Sequence, residues 1–153
     1  MPFYKVSLLI SLSLVFISAC GTPHAHEVPV GIILYQGEEK LLIQDEGILT
    51  YIERDAIEVL HGKYSDTISV EFIADEGHRY LPDPTEFSLV ITHGNTELLG
   101  VDHPVGGDEW SFRLIGHQTG ETTIRFELLH IDHFEFRSQD FDVHIRDQEN
   151  SHI

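Results

Sequence analysis

From Val30 onward the chain is made of short runs in which apolar residues recur at every second position, separated by polar or glycine-bearing punctuation. Side chains of an extended strand point to opposite faces in turn, so this alternation predicts half-buried strands. The runs cover residues 30–35, 40–43, 48–52, 67–74, 86–92, 96–101 and 141–145. Ile68, Val70 and Phe72 alternate with Ser69 and Glu71, and Phe141, Val143 and Ile145 alternate with Asp142 and His144. Gly37, Gly47, Gly62, Gly77, Gly94, Gly106 and Gly107 fall between or at the ends of these runs, where turns belong. Residues 55–60 fit either a single helical turn or a strand. No stretch of ten residues keeps a helical period, so the pattern predicts an all-β domain with two antiparallel sheets packed face to face.

The clearest fold signal lies between Glu109 and Phe136. Trp110, Phe112 and Leu114 alternate with Ser111 and Arg113; Ile124, Phe126 and Leu128 alternate with Thr123, Arg125 and Glu127. The connection Gly116-His117-Gln118-Thr119-Gly120 has the length of a turn between antiparallel strands, which predicts a hairpin. Trp110 shares a face with Phe112 and Leu114, so core filling is expected of it, with ligand stacking as the alternative.

The first 19 residues differ from the rest. Lys5 precedes an apolar run of about a dozen residues, and small residues follow, which predicts a cleaved secretory signal; the run is shorter than the roughly 20 residues of a spanning helix. Residues 17–20, Ile-Ser-Ala-Cys, resemble a bacterial lipobox, where the cysteine thiol is acylated and becomes the first residue of the mature chain. Cys20 is the only cysteine, so no internal disulfide can form. The resemblance implies lipidation of Cys20, with several acyl chains holding the protein on a membrane. Gly21 is not the aspartate associated with inner-membrane retention, which makes the outer membrane the implied destination. Residues 20–27 are then the acylated cysteine and a short spacer, residues 28–146 one domain, and 147–153 a polar tail.

Charge narrows the partners. Loss of Lys5 leaves eight basic residues against 26 acidic ones, a net charge of −18. Such a field repels nucleic acid and favours cations or basic partners. All 11 histidines follow Cys20, which makes the surface charge sensitive to pH near 6.5.

The segments 110–116 and 120–126 look like the final hairpin of bacterial immunoglobulin-like domains, where a strand, a glycine-edged turn and a Thr-rich strand recur. The resemblance implies an Ig-like β-sandwich without the disulfide and tryptophan signature of antibody domains. It also implies a non-enzymatic binding or accessory module in the cell envelope, with an envelope protein or transporter as its partner.

Candidate chemistry rests on histidine. His130-Ile131-Asp132-His133 sets two imidazoles and a carboxylate within one turn, where both rings can meet one cation and Asp132 can ligate or orient. Imidazole suits Zn or Cu, and an exported chain whose thiol is acylated has only nitrogen and oxygen ligands to offer. His24 and His26, two apart before Glu27, form a second pair. A first strand running beside the last would combine the two pairs into one site. The alternative reading is therefore a histidine-rich lipoprotein that buffers or delivers Zn or Cu. Acidic loops around Asp75, Asp83, Asp102 and Asp108 lack EF-hand spacing, and ordinary acidic turns account for them. The chain contains no Gly-x-Ser-x-Gly, His-Glu-x-x-His or glycine-rich phosphate loop, so no catalytic residue is assigned.

Overall fold

The computed structural model describes residues 27–148, and among these there is no helix. Twelve strands form: β1 (Pro29–Gln36), β2 (Glu39–Asp45), β3 (Ile48–Tyr51), β4 (Ile57–Leu60), β5 (Ile68–Ala74), β6 (Arg79–Tyr80), β7 (Phe87–His93), β8 (Leu99–Asp102), β9 (Ser111–Gly116), β10 (Gly120–His130), β11 (His133–Arg137) and β12 (Phe141–Arg146). They build two sheets. One runs β3-β2-β1-β5-β9-β8 with β6 beside β5; the other runs β11-β10-β12-β4 with β7 on the opposite edge of β10. The expected all-β sandwich is therefore present. Its second sheet is not wholly antiparallel, because β4 and β12 run parallel, with Val143 opposite Ile57.

The core fills the space between the sheets as the alternation requires. Ile32, Leu34, Val70, Phe72, Phe112 and Leu114 point inward from one sheet; Ile124, Phe126, Leu128, Phe141, Val143 and Ile145 point inward from the other. Aromatic rings join the layers: Phe112 lies 5.2 Å from Phe126, and Phe72 meets Phe136 edge-on at 5.8 Å. Such tilted pairs add attraction beyond the area they bury. Trp110, 5% exposed, is edge-on to Phe72 at 5.8 Å, which makes it a core residue.

The hairpin expected between the Trp110 and Ile124 runs does not form. β9 bonds to β5 and β8 in one sheet, whereas β10 bonds to β7, β11 and β12 in the other. The Gly116–Gly120 connection is an arch between layers, and its two strands face each other through side chains across the core. Gly116 sits where the arch leaves β9: a Cβ there would collide with Ile145 Cγ2 and lie 3.3 Å from the Leu60 carbonyl oxygen. The alternation of a strand fixes which side is apolar, not which strand it bonds.

Residues 55–60 resolve as strand β4 at their C-terminal part, because Ile57 and Val59 take inward positions while Glu58 stays out. β10 does form a hairpin at its other end, with β11: Ile131 and Asp132 are its loop and His130 lies directly opposite His133.

Candidate metal centre

β10 carries its inward set at even positions, so His130 follows Ile124, Phe126 and Leu128 on the inner face, at the rim of the core. There its ring stacks on Phe87 of β7, centroids 4.4 Å apart and planes within 15°. Its side chain keeps 14% of its exposure. His133, its cross-strand partner, is brought to the same face, with ring centroids 5.3 Å apart.

Two local features make this possible. Ile131 has a φ of +54°, the sign a two-residue hairpin loop needs at its first position but one that β-branched residues resist. Its amide donates to the Glu86 carbonyl at 3.2 Å, which ties the loop to the segment entering β7. The second feature is a bulge. Leu128 pairs with Phe136 and Leu129 with Phe134, so Glu135 is an extra residue without a partner across the ladder. Bulges re-aim side chains. Here the bulge lets Phe136 enter the core against Phe72 while Glu135, its neighbour, also turns toward the imidazoles.

Glu135 Oε1 lies 2.8 Å from His133 Nε2 and 3.3 Å from His130 Nδ1. His130, His133 and Glu135 thereby place three donor atoms within 4.8 Å of one another, the only such grouping among the described residues. Electrostatics follow from proximity. Asp132 first, then Glu135, hold the His133 imidazole above its ordinary value, and His133 in turn holds the Glu135 carboxyl below its own. A cation displacing those protons would meet two neutral imidazoles and one carboxylate, a set that suits borderline divalent metals.

Of the residues expected to act here, His130 and His133 do converge. Asp132 does not join them as a third donor: its Oδ1 sits 3.3 Å from His133 Nδ1, the nitrogen on the far side of the ring. The third donor is Glu135, which sequence reasoning missed, although its i+2 spacing from His133 on an extended strand puts it on the same side.

Cys20, His24 and His26 lie outside the described residues. The arrangement meant to unite the two histidine pairs is absent, because β1 lies between β2 and β5 in one sheet and β12 between β10 and β4 in the other. The chain nevertheless enters the fold at the same end as the site. The Tyr80 hydroxyl reaches the Glu27 carbonyl at 3.4 Å, and the Glu27 carboxylate pairs with His78 Nε2 at 3.0 Å. Burial holds the Tyr80 phenol far above its usual range, and the charges of Glu27 and Glu135 push it further. Both carboxylates therefore act on one phenol.

No family model matches this chain, and no curated protein does. A solved structure similar to it is the crystal structure of the S-layer protein SbsC domains 4 and 5, at 13% identity and a TM-score of 0.43. The likeness covers 76% of this chain and 58% of that one, and at that distance it has no bearing on function.

Proposed function

We propose that this chain is a lipid-anchored, non-enzymatic protein of the cell envelope whose β-sandwich captures a divalent transition metal such as Zn²⁺ or Cu²⁺ at His130, His133 and Glu135. One observation carries the metal reading: three donors of suitable chemistry lie within 4.8 Å of one another at an accessible rim. Three protein donors leave a tetrahedral ion one position for water or for a donor from another molecule. An open position suits exchange, so buffering or delivery to an envelope transporter follows better than a structural role. The strongly negative mature chain attracts cations toward the rim. The lipobox resemblance at Cys20 supports the anchor, and Gly21 supports the outer membrane.

Calorimetric titration of the full-length chain in detergent with Zn²⁺ tests the site. Saturable one-site binding at submillimolar concentration is expected at pH 7.5. It is expected to weaken strongly near pH 5.5, because the imidazoles must be deprotonated to bind. Changing His130 and His133 together to Ala should abolish it; absence of saturable binding by the wild type at pH 7.5 would overturn the reading. Mass spectrometry of membrane-extracted protein should find an acylated Cys20, and identical membrane distribution of wild type and Cys20→Ala would remove the anchor.

A further inference from the structure

Each imidazole at the rim has two nitrogens, and both rings divide them the same way. His130 turns Nδ1 to Glu135 Oε1 at 3.3 Å and Nε2 to Glu86 Oε2 at 4.0 Å. His133 turns Nε2 to that same Glu135 oxygen at 2.8 Å and Nδ1 to Asp132 Oδ1 at 3.3 Å. The inner nitrogens converge on one carboxylate, and each outer nitrogen faces a carboxylate of its own.

A neutral imidazole offers a cation one lone pair, and its other nitrogen keeps the proton. A carboxylate beside that second nitrogen decides where the proton resides, fixes the ring and makes the ligating nitrogen more basic. We infer that Glu86 and Asp132 are positioning residues that hold His130 as an Nδ1 ligand and His133 as an Nε2 ligand. For its cation the inference rests on the metal reading above, whereas the ring orientation belongs to the metal-free chain.

The surrounding structure favours the role of Glu86 in particular. Its amide donates to the Asp83 carbonyl at 3.1 Å, and its carbonyl accepts from the Ile131 amide, so its backbone is fastened both to its own turn and to the hairpin loop. Its side chain is 54% exposed and has room to close the 4.0 Å gap when the ring carries a proton on Nε2. Stacking on Phe87 confines the plane of the His130 ring, which leaves a half-turn flip as the main alternative orientation. In the flipped ring Nδ1 would face Glu86 and Nε2 Glu135. The two orientations differ in tautomer and can be told apart.

Long-range nitrogen–proton correlation spectra of the imidazoles in the Zn²⁺-loaded, full-length chain at pH 8 read that tautomer directly. With Zn²⁺ bound, His130 is expected to be protonated on Nε2 and His133 on Nδ1, whereas without it the inner nitrogens keep the protons that they donate to Glu135. Glu86→Ala should redistribute the His130 proton and weaken Zn²⁺ binding about 10- to 100-fold, while leaving the unfolding midpoint unchanged. Glu86→Gln, whose carbonyl can still accept from Nε2, should fall between wild type and the Ala variant in both readouts. A Zn²⁺-loaded wild-type His130 protonated on Nδ1, or a Glu86→Ala chain with unchanged tautomer and affinity, would overturn the inference. A wild type that takes up no Zn²⁺ would remove the metal reading and this inference together, whereas one that binds Zn²⁺ through Nε2 of His130 would remove this inference alone.

Discussion

The Gly116–Gly120 connection and the Ile131–Asp132 loop are both short links between runs of alternating residues, and they do opposite things. The first carries the chain from one sheet to the other, so that Phe112 and Phe126 meet through the core. The second folds the chain back within one sheet, so that His130 and His133 lie side by side. The arch is close-packed where it leaves β9, with Gly116 wedged against Ile145, while His117, Gln118 and Thr119 are exposed. The hairpin end is wet, acidic and backbone-strained, and it gathers titratable groups on elements from both sheets. Alternation alone leads to either outcome. What separates them is whether the residues beside the link have apolar or hydrogen-bonding partners waiting opposite.

The largest expected effect tests the arch. Phe126→Ala should destabilise the fold by about 3–5 kcal/mol in denaturant unfolding, because Phe126 is wholly buried between Phe112 and Phe141. A loss near zero would return Phe126 to a surface and overturn its place in the core. Gly116→Ala comes next, at about 1–3 kcal/mol, since Ile145 must move to admit a methyl group. If β9 and β10 were an ordinary hairpin in one sheet, the same change would be nearly neutral.

The hairpin end should answer with the opposite sign. Ile131→Asn replaces a β-branched residue at positive φ by one that tolerates that region, and a gain of about 0.5–1 kcal/mol is expected. Destabilisation on that change would mean that the exposed Ile131 side chain has contacts worth more than its backbone strain.

The smallest effect concerns the clasp at the start of β1. The Glu27 carboxylate raises His78 above its ordinary value. The clasp therefore contributes fully below about pH 6.5 and is lost as pH rises through the raised value of His78. Proton NMR titration should find His78 above 6.5 in the wild type and lower in Glu27→Gln. An identical midpoint in both chains would detach the entry of the chain from this end of the sandwich.

The inward and outward faces were legible in the sequence because burial enforces a period of two, and every inward residue of β5 and β12 follows it. Partner choice was not legible. The Trp110 and Ile124 runs read alike whether bonded in one sheet or stacked across two, and nothing local distinguishes a five-residue turn from a five-residue arch. β11 escaped notice for a different reason. Phe134 and Phe136 suggest one shared apolar face, yet Phe134 is 49% exposed while Phe136 is buried, because the bulge changes the parity between them. The same parity change hid Glu135, which sits between two phenylalanines like an ordinary outward acid. The imidazoles were visible as a pair, but Glu86 comes from a distant part of the chain, where only the tertiary fold brings it near.

That single unpaired residue makes the hairpin intolerant of changes in length. A substitution at the exposed Phe134 can be absorbed, since its side chain lies outside the core and the donor group. Deleting any one residue from 134–136 would restore strict alternation, and Glu135 and Phe136 could no longer share the inner side. The chain would then keep either the carboxylate beside its imidazoles or the ring against Phe72, but not both. The residue count of this hairpin is therefore constrained as tightly as the identities of His133, Glu135 and Phe136.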